Sequence, residues 1–288
     1  MVGNMSDVII GSLNTLQAVK THSSGILLDG GELGEILLPN RYVPAEFEPG
    51  EEIEVFISND SEDRLVATTE KPFAMADEFA LLEVVAASRV GAFLDWGMPK
   101  DLLLPFGEQA RRLKVGDKEL VYIYVDEVTN RLVASAKLGK FIGKTAPDYL
   151  QPGNRVSLIL AERTDIGFKT IVNDSFWGMI HTTESKGIPR RGERCNGFVA
   201  RIREDGLIDV TLHPPGYARV TDATEQLAEQ LARIDGGFLA LHDKSPPEAI
   251  RDQLGMSKKV FKQAIGALYR DGRVKLSEGG IQWLGKKD

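Results

Sequence analysis

Lys186-Gly187-Ile188-Pro189-Arg190-Arg191-Gly192-Glu193-Arg194 places four cations in nine residues beside a single acid, and Arg201 and Arg203 follow. On a loop and the strand that it feeds, such a run forms a stripe able to track phosphates. Trp177, next to Phe176, supplies aromatic surface nearby, and His181 lies four residues further on. An unstacked base gains about 1–3 kcal/mol on an aromatic face while neighbouring cations hold its backbone. The plain alternative is that the run is only a solvated face. A second set, Lys258, Lys259 and Lys262, stands near the start of a predicted helix, where a recognition helix meets phosphates or base edges. Gln263 is the one good base-reading side chain beside them, which argues against sequence-specific reading of DNA.

Catalytic chemistry finds little support in the same sequence. There is no phosphate-binding glycine loop and no metal-ligand spacing, and His22, His181, His213 and His242 are scattered. Cys195 is the only cysteine, so neither a disulfide nor a cysteine-based zinc site can be built. It reads as a buried small apolar residue. The expectation is a non-enzymatic protein without cofactor or metal, a nuclease assembled in space being the alternative. No apolar run of about 18 residues occurs, and Met1-Val2-Gly3-Asn4-Met5 lacks the character of a signal peptide. A soluble cytoplasmic protein with no membrane partner is expected.

Charge is unevenly placed along the 288 residues, whose formal net is −7. Residues 1–76 hold 4 Lys and Arg against 13 Asp and Glu, a net of −9, whereas residues 151–220 have a net of +2 and residues 221–288 of +1. Electrostatic binding follows local patches, so the C-terminal half is expected to lead.

The elements that must position these residues repeat. Gly25-Ile26-Leu27-Leu28-Asp29, Glu35-Ile36-Leu37-Leu38-Pro39 and Arg64-Leu65-Val66-Ala67-Thr68 return as Gly91-Ala92-Phe93-Leu94-Asp95, Asp101-Leu102-Leu103-Leu104-Pro105 and Arg131-Leu132-Val133-Ala134-Ser135. The offset is 66 residues between Gly25 and Gly91 and 67 between Arg64 and Arg131, so a whole unit is repeated. A divergent third copy runs through Gly167-Phe168-Lys169-Thr170-Ile171-Val172, Gly178-Met179-Ile180-His181 and Leu207 to Leu212. Each copy offers about five short β-runs separated by Gly, Pro, Asn or Asp, the pattern of a small antiparallel barrel. A helical plug is expected near Gly107 to Leu113. Alternation turns Ala92, Leu94 and Trp96 inward and Phe93 outward; in the third copy it turns Phe168, Thr170 and Val172 inward and Lys169, Ile171 and Asn173 outward. The equivalent outward residues are Leu27, Phe93 and Lys169. An outward Phe93 serves either a base or a neighbouring domain, and Arg64 and Arg131 serve either phosphates or hairpin carboxylates.

Beyond Thr221 the period becomes helical. Leu227, Leu231 and Ile234 form one stripe over Thr224 to Ile234. Ser245-Pro246-Pro247-Glu248 predicts a capped second helix from Pro246 to Leu254, and Ser257 a third to about Arg270, burying Val260, Phe261, Ala264, Ile265 and Leu268. Arg273 to Leu276 and Ile281 to Leu284 then form a hairpin. Three helices and a hairpin make a winged helix-turn-helix. The fold class is therefore mainly β with an α+β C-terminal module, divided into barrels at 1–76, 77–146 and 147–220 and a winged helix at 221–288.

The order Gly-Ala-Phe-Leu-Asp, Gly178-Met179-Ile180-His181-Thr182-Thr183-Glu184, then Arg-Leu-Val-Ala-Ser resembles the S1-type RNA-binding branch of the OB fold. The resemblance implies RNA contacts for Phe93, His181, Asp126, Arg131 and Arg64. Its histidine position falls on Leu38 and Leu104 in the first two copies, the aromatic before the strand glycine is Ser24, Val90 or Ile166, and Lys169 replaces the outward aromatic in the third. With the run Gly255-Met256-Ser257-Lys258-Lys259-Val260-Phe261-Lys262-Gln263-Ala264-Ile265-Gly266-Ala267-Leu268-Tyr269, the whole chain resembles the bacterial conserved virulence factor B (CvfB/YitL-like) family. That implies a regulator that binds single-stranded RNA after transcription, with the third barrel and the winged helix cooperating. A winged-helix regulator of duplex DNA and an adaptor for ribosome-associated proteins are the alternatives.

Overall fold

The computed structural model describes residues 8–182, 188–214, 217–277 and 279–285. Lys186 and Gly187 of the basic run, Thr183 and Glu184 of the histidine motif, Glu278 of the terminal hairpin and the five N-terminal residues lie outside them. The first barrel is built from β1 (Leu13–His22), β2 (Gly25–Asp29), β3 (Glu35–Pro39), β4 (Glu52–Asn59) and β5 (Leu65–Thr68). The second uses β6 (Phe79–Ala87), β7 (Gly91–Asp95), β8 (Leu102–Pro105), β9 (Lys118–Asp126) and β10 (Arg131–Ser135). The third uses β11 (Arg155–Thr164), β12 (Gly167–Val172), β13 (Phe176–His181), β14 (Arg194–Ile202) and β15 (Ile208–Thr211). All three sheets close, each with its third strand parallel to its fifth, the closure of an OB barrel.

Two local devices recur because the sequence repeats. Each first strand carries a bulge, at Ala18/Lys20, Val84/Ala86 and Leu160/Glu162, which bends it so that it can pair with two neighbours. Each second strand begins with a glycine packed against the third. A Cβ at Gly25, Gly91 or Gly167 would lie 1.9, 2.3 or 2.0 Å from the carbonyl oxygen of Leu38, Leu104 or Ile180. No other residue fits there.

The barrels form one compact unit, except that Pro152–Arg155 and Gly197–Ala200 of the third group with the helical module. Phe56 of the first barrel meets Trp96 of the second edge-on at 5.8 Å, both buried. Phe79 and Leu120 of the second pack with Ile159, Ala161 and Ile171 of the third, and Tyr122 stacks on Phe141 at 4.2 Å. Ile171 therefore departs from expectation. It points out of its own barrel but is fully buried, because the second barrel covers it. The helical plug near Gly107 to Leu113 is also absent: a single 3-10 turn, Phe106–Glu108, is all that forms. Beyond it Gln109 is extended, Arg111 reaches Asp117 and Glu119, and Leu113 is buried, so tertiary contacts override helix propensity.

The helical module consists of α1 (Tyr217–Arg233), β16 (Phe238–Leu239), α2 (Pro247–Leu254), α3 (Lys258–Arg270), β17 (Val274–Ser277) and β18 (Gly280–Trp283). Leu227, Leu231, Ile250, Phe261, Ile265 and Leu268 lie in one core, and β16 completes a sheet of order β16-β18-β17. The first helix starts seven residues before the expected Thr224. Ser257 caps α3, accepting from the Val260 N–H. Ser245 does not cap α2; Pro246 takes that position, and the Ser245 hydroxyl instead accepts from the His242 N–H at 2.9 Å. Among the described residues no helix is long and apolar enough to cross a membrane.

Candidate nucleic-acid interface

The outer face of each barrel is ordered by the rung that joins its second, third and fifth strands. Pairing places Leu27, Leu37 and Val66 on one rung of the first barrel and Phe93, Leu103 and Val133 on that of the second. In the third barrel the same rung reads Lys169, Met179 and Asp209. The equivalence of Leu27, Phe93 and Lys169 is thus a property of the register. That of His181 needs correction. His181 pairs with Gly167 as Pro39 pairs with Gly25 and Pro105 with Gly91, so its counterparts are these prolines, not Leu38 and Leu104. The two leucines are fully buried and correspond to Ile180, whose side chain points inward.

Asp209 organises the third barrel's face. Its side chain is only 5% exposed, and three partners converge on it. Arg203 donates to Oδ1 from Nε at 2.9 Å and Nη2 at 2.6 Å, Arg201 donates to Oδ2 at 3.1 and 2.7 Å, and His181 Nε2 lies 3.0 Å from Oδ1. Burial pushes the Asp209 carboxyl up, but hydrogen bonds from Arg203, Arg201 and His181 outweigh it and hold the group at about 2. One buried carboxylate therefore fixes two guanidiniums and an imidazole whose outer edges still reach solvent, Arg201 being 67% exposed and His181 42%. Planar guanidiniums so held suit phosphate oxygens.

The rest of the cationic stripe is differently used. Arg191, though still 42% exposed, is tied to the second barrel: it donates to Glu119 at 2.5 Å and to the Lys118 carbonyl, and within its own barrel to the Ala161 carbonyl. The nearly buried Glu119 also takes Arg111 at 3.1 Å, so Arg191 latches the second barrel to the third. Arg194 pairs with Asp174 at 2.8 Å. Arg190 is exposed and forms no ion pair among the described residues. Trp177, half-buried, packs on the cluster between the second and third barrels, and Lys169 Nζ stands 3.8 Å over its ring. Cys195 is half-buried, and burial first, then Glu193, pushes its thiol up.

In the second barrel Asp126 serves its own turn, accepting from the Thr129 N–H and hydroxyl at 2.8 Å each. Arg131 is ion-paired with Asp63 of the first barrel, and Arg64 is held by Asp60 and Glu62 at 2.7 and 2.9 Å. These arginines do meet hairpin carboxylates. Yet with Phe93 they line a groove of about 690 Å³ between the first two barrels, together with Arg41, Tyr42 and Lys100, which the sequence reading had not singled out. In the helical module Lys259 and Lys262 are exposed and Lys258 half-exposed at the start of α3, with no ion pair among the described residues. Arg273 lies over the Trp283 ring at 5.2 Å. Among the described residues no group of three or more His, Cys, Asp and Glu is placed to hold a metal ion.

Three OB barrels followed by a winged helix define a modular protein of nucleic-acid-binding domains. The S1 domain family matches residues 10–70, and the CvfB-like winged helix domain matches residues 225–283. YitL of Bacillus subtilis is 34% identical over 275 residues, 88% of this chain and 87% of its own. Conserved virulence factor B of Staphylococcus epidermidis is 30% identical over 284 residues, 95% and 94% of the two chains, and that of Staphylococcus aureus 28% over 283, 95% and 93%. A crystal structure of a multidomain protein with nucleic acid binding domains from Streptococcus pneumoniae is 21% identical, covers 96% of this chain and 98% of its own, and has a TM-score of 0.39. The chain belongs to the conserved virulence factor B (CvfB/YitL-like) family.

Proposed function

We propose that the chain binds single-stranded RNA in the cytoplasm, catalyses no reaction on it, and regulates gene expression after transcription. The observation that carries this reading is the face of the third barrel, where buried Asp209 orients Arg201, Arg203 and His181 while their outer edges stay open. The exposed lysines of α3 add a second cationic contact on the same chain. Linkage multiplies weak contacts, because the second meets its part of the strand at high effective concentration. Duplex DNA is the weaker reading: of the α3 lysines' neighbours only Gln263 suits base edges, and Arg273 lies over Trp283.

Competition tests the proposal. A fluorescent single-stranded RNA bound to the intact chain at low salt is challenged with unlabelled RNA, single-stranded DNA and duplex DNA. Unlabelled RNA is expected to displace the probe at the lowest concentration. Displacement led by duplex DNA would transfer the function to the winged helix as a DNA reader.

A further inference from the structure

Two choices on the exposed face of α3 work against the helix that carries them. Gly266 stands in its middle and is the one glycine inside an α-helix among the described residues. Nothing in the fold calls for it: its φ is not positive, and a Cβ there would meet nothing within 4 Å. Alanine would fit and would hold the helix better, since glycine has more freedom to lose on folding. Lys258 and Lys259 occupy the first turn, at the positive end of the helix, where acids are favoured and none is present. Local rules broken without a packing reason mark places set aside for function.

Both choices fall on one stripe. Lys259, Lys262, Gly266 and Arg270 follow each other at spacings of three, four and four residues, along the side opposite the buried Phe261, Ala264, Ile265 and Leu268. At a rise of about 1.5 Å per residue the stripe is about 16 Å long. α3 carries four cations and no acid, and none of the four forms an ion pair among the described residues. Arg270 Nε donates to the Gly266 carbonyl at 3.3 Å, which holds its guanidinium along the stripe.

A glycine set among cations brings the helix backbone close to whatever the cations attract. The occupant is therefore a polyanion, and it is a stiff one. A flexible single strand would step around one added methyl, so a missing side chain matters only to a surface that does not bend. Of the stiff polyanions, A-form RNA fits the side chains present: its wide, shallow minor groove is recognised by shape, phosphates and 2′-hydroxyls. The major groove of B-form DNA is read by side chains that pair with base edges. Gln263 is the one residue on the stripe suited to that.

From this we infer that α3 lies with Gly266 against a double-helical segment of the same RNA whose single-stranded part is held elsewhere on the chain. The substrate class is then a folded RNA, a stem bearing a single-stranded tail or loop. The inference rests on the reading of the chain as an RNA binder. The α3 lysines attract either form, whereas Gly266 serves the stem.

The intact chain is titrated by fluorescence anisotropy with three probes that share one labelled oligouridylate tail: the tail alone, the tail on an RNA hairpin, and the tail on a DNA hairpin of the same sequence. The RNA stem is expected to tighten binding about tenfold over the tail, and the DNA stem less than about threefold. Gly266→Ala should cut the gain from the RNA stem to within about twofold. Its helical circular dichroism should persist to a temperature a few degrees above the parent's, which separates lost contact from lost fold. If the tail binds but the RNA stem adds less than about twofold, if the DNA stem adds as much as the RNA stem, or if Gly266→Ala keeps the parent's gain, the inference is overturned while the proposed function stands. A lower melting temperature for Gly266→Ala also overturns it, by giving the glycine a structural reason. No binding of any probe at low salt overturns both.

Discussion

Replacing Asp209 by Asn is the sharpest perturbation of the third barrel. The carboxylate is held at about 2, against an ordinary value of 3.8, by hydrogen bonds that outweigh its burial. A difference of that size corresponds to about 2 kcal/mol of native-state stabilisation at neutral pH. Because the folded group titrates below the unfolded one, the stabilisation is fully present above about pH 5, falls to about half at pH 3, and is lost below pH 2. Asparagine keeps the shape but leaves Arg201, Arg203 and His181 without the charge that holds them. Urea unfolding followed through the emission of Trp177, which stands on β13 of the same barrel, should show the variant about 2 kcal/mol less stable at pH 7 and at pH 5. At pH 3 the gap should shrink by about half. A variant within 0.5 kcal/mol of the parent at pH 7, roughly the scatter of an ordinary surface substitution, would refute the role given to Asp209. So would a gap that widens as the pH falls.

Other perturbations probe separate parts of the account. Arg191→Ala should destabilise the junction of the second and third barrels by about 1–3 kcal/mol, the cost of leaving a buried polar group such as Glu119 unsatisfied, and hasten proteolysis between them; unchanged urea and proteolysis profiles would contradict the latch. Ser257→Ala should cost about 1 kcal/mol through loss of the α3 cap, seen as earlier loss of helical circular dichroism on heating. The triple variant Lys258→Ala, Lys259→Ala, Lys262→Ala should leave the melting temperature in place while lowering the slope of log affinity against log salt by about 2.

Architecture was legible because repetition exposes it. Gly25, Gly91 and Gly167 recur where only glycine admits the third strand, and alternation after them sets the inner and outer faces of β2, β7 and β12. The boundary of α3 followed from Ser257 and its apolar stripe for the same reason: both signals are local. Outward residues were harder. Alternation says that Ile171 and Trp177 leave their barrel, but not whether water or another barrel receives them, since docking between barrels has no sequence period. Arg191 looked like its neighbours in the basic run, yet Glu119, 72 residues earlier, claims it. Asp209 had a usable sign, an acid between Ile208 and Val210 with Arg201 on β14 and Arg203 just beyond its end. Tyr42 and Arg41 lie in a 3-10 turn after Pro39, where neither strand nor helix periodicity applies.

The central claim is met most directly by titrating the intact chain with a fluorescent single-stranded RNA at a series of salt concentrations. Contacts through Arg190, Arg201, Arg203 and the α3 lysines predict measurable binding at low salt and a log–log slope of about −2 to −4. A flat salt dependence, or no binding at 50 mM salt, would contradict it.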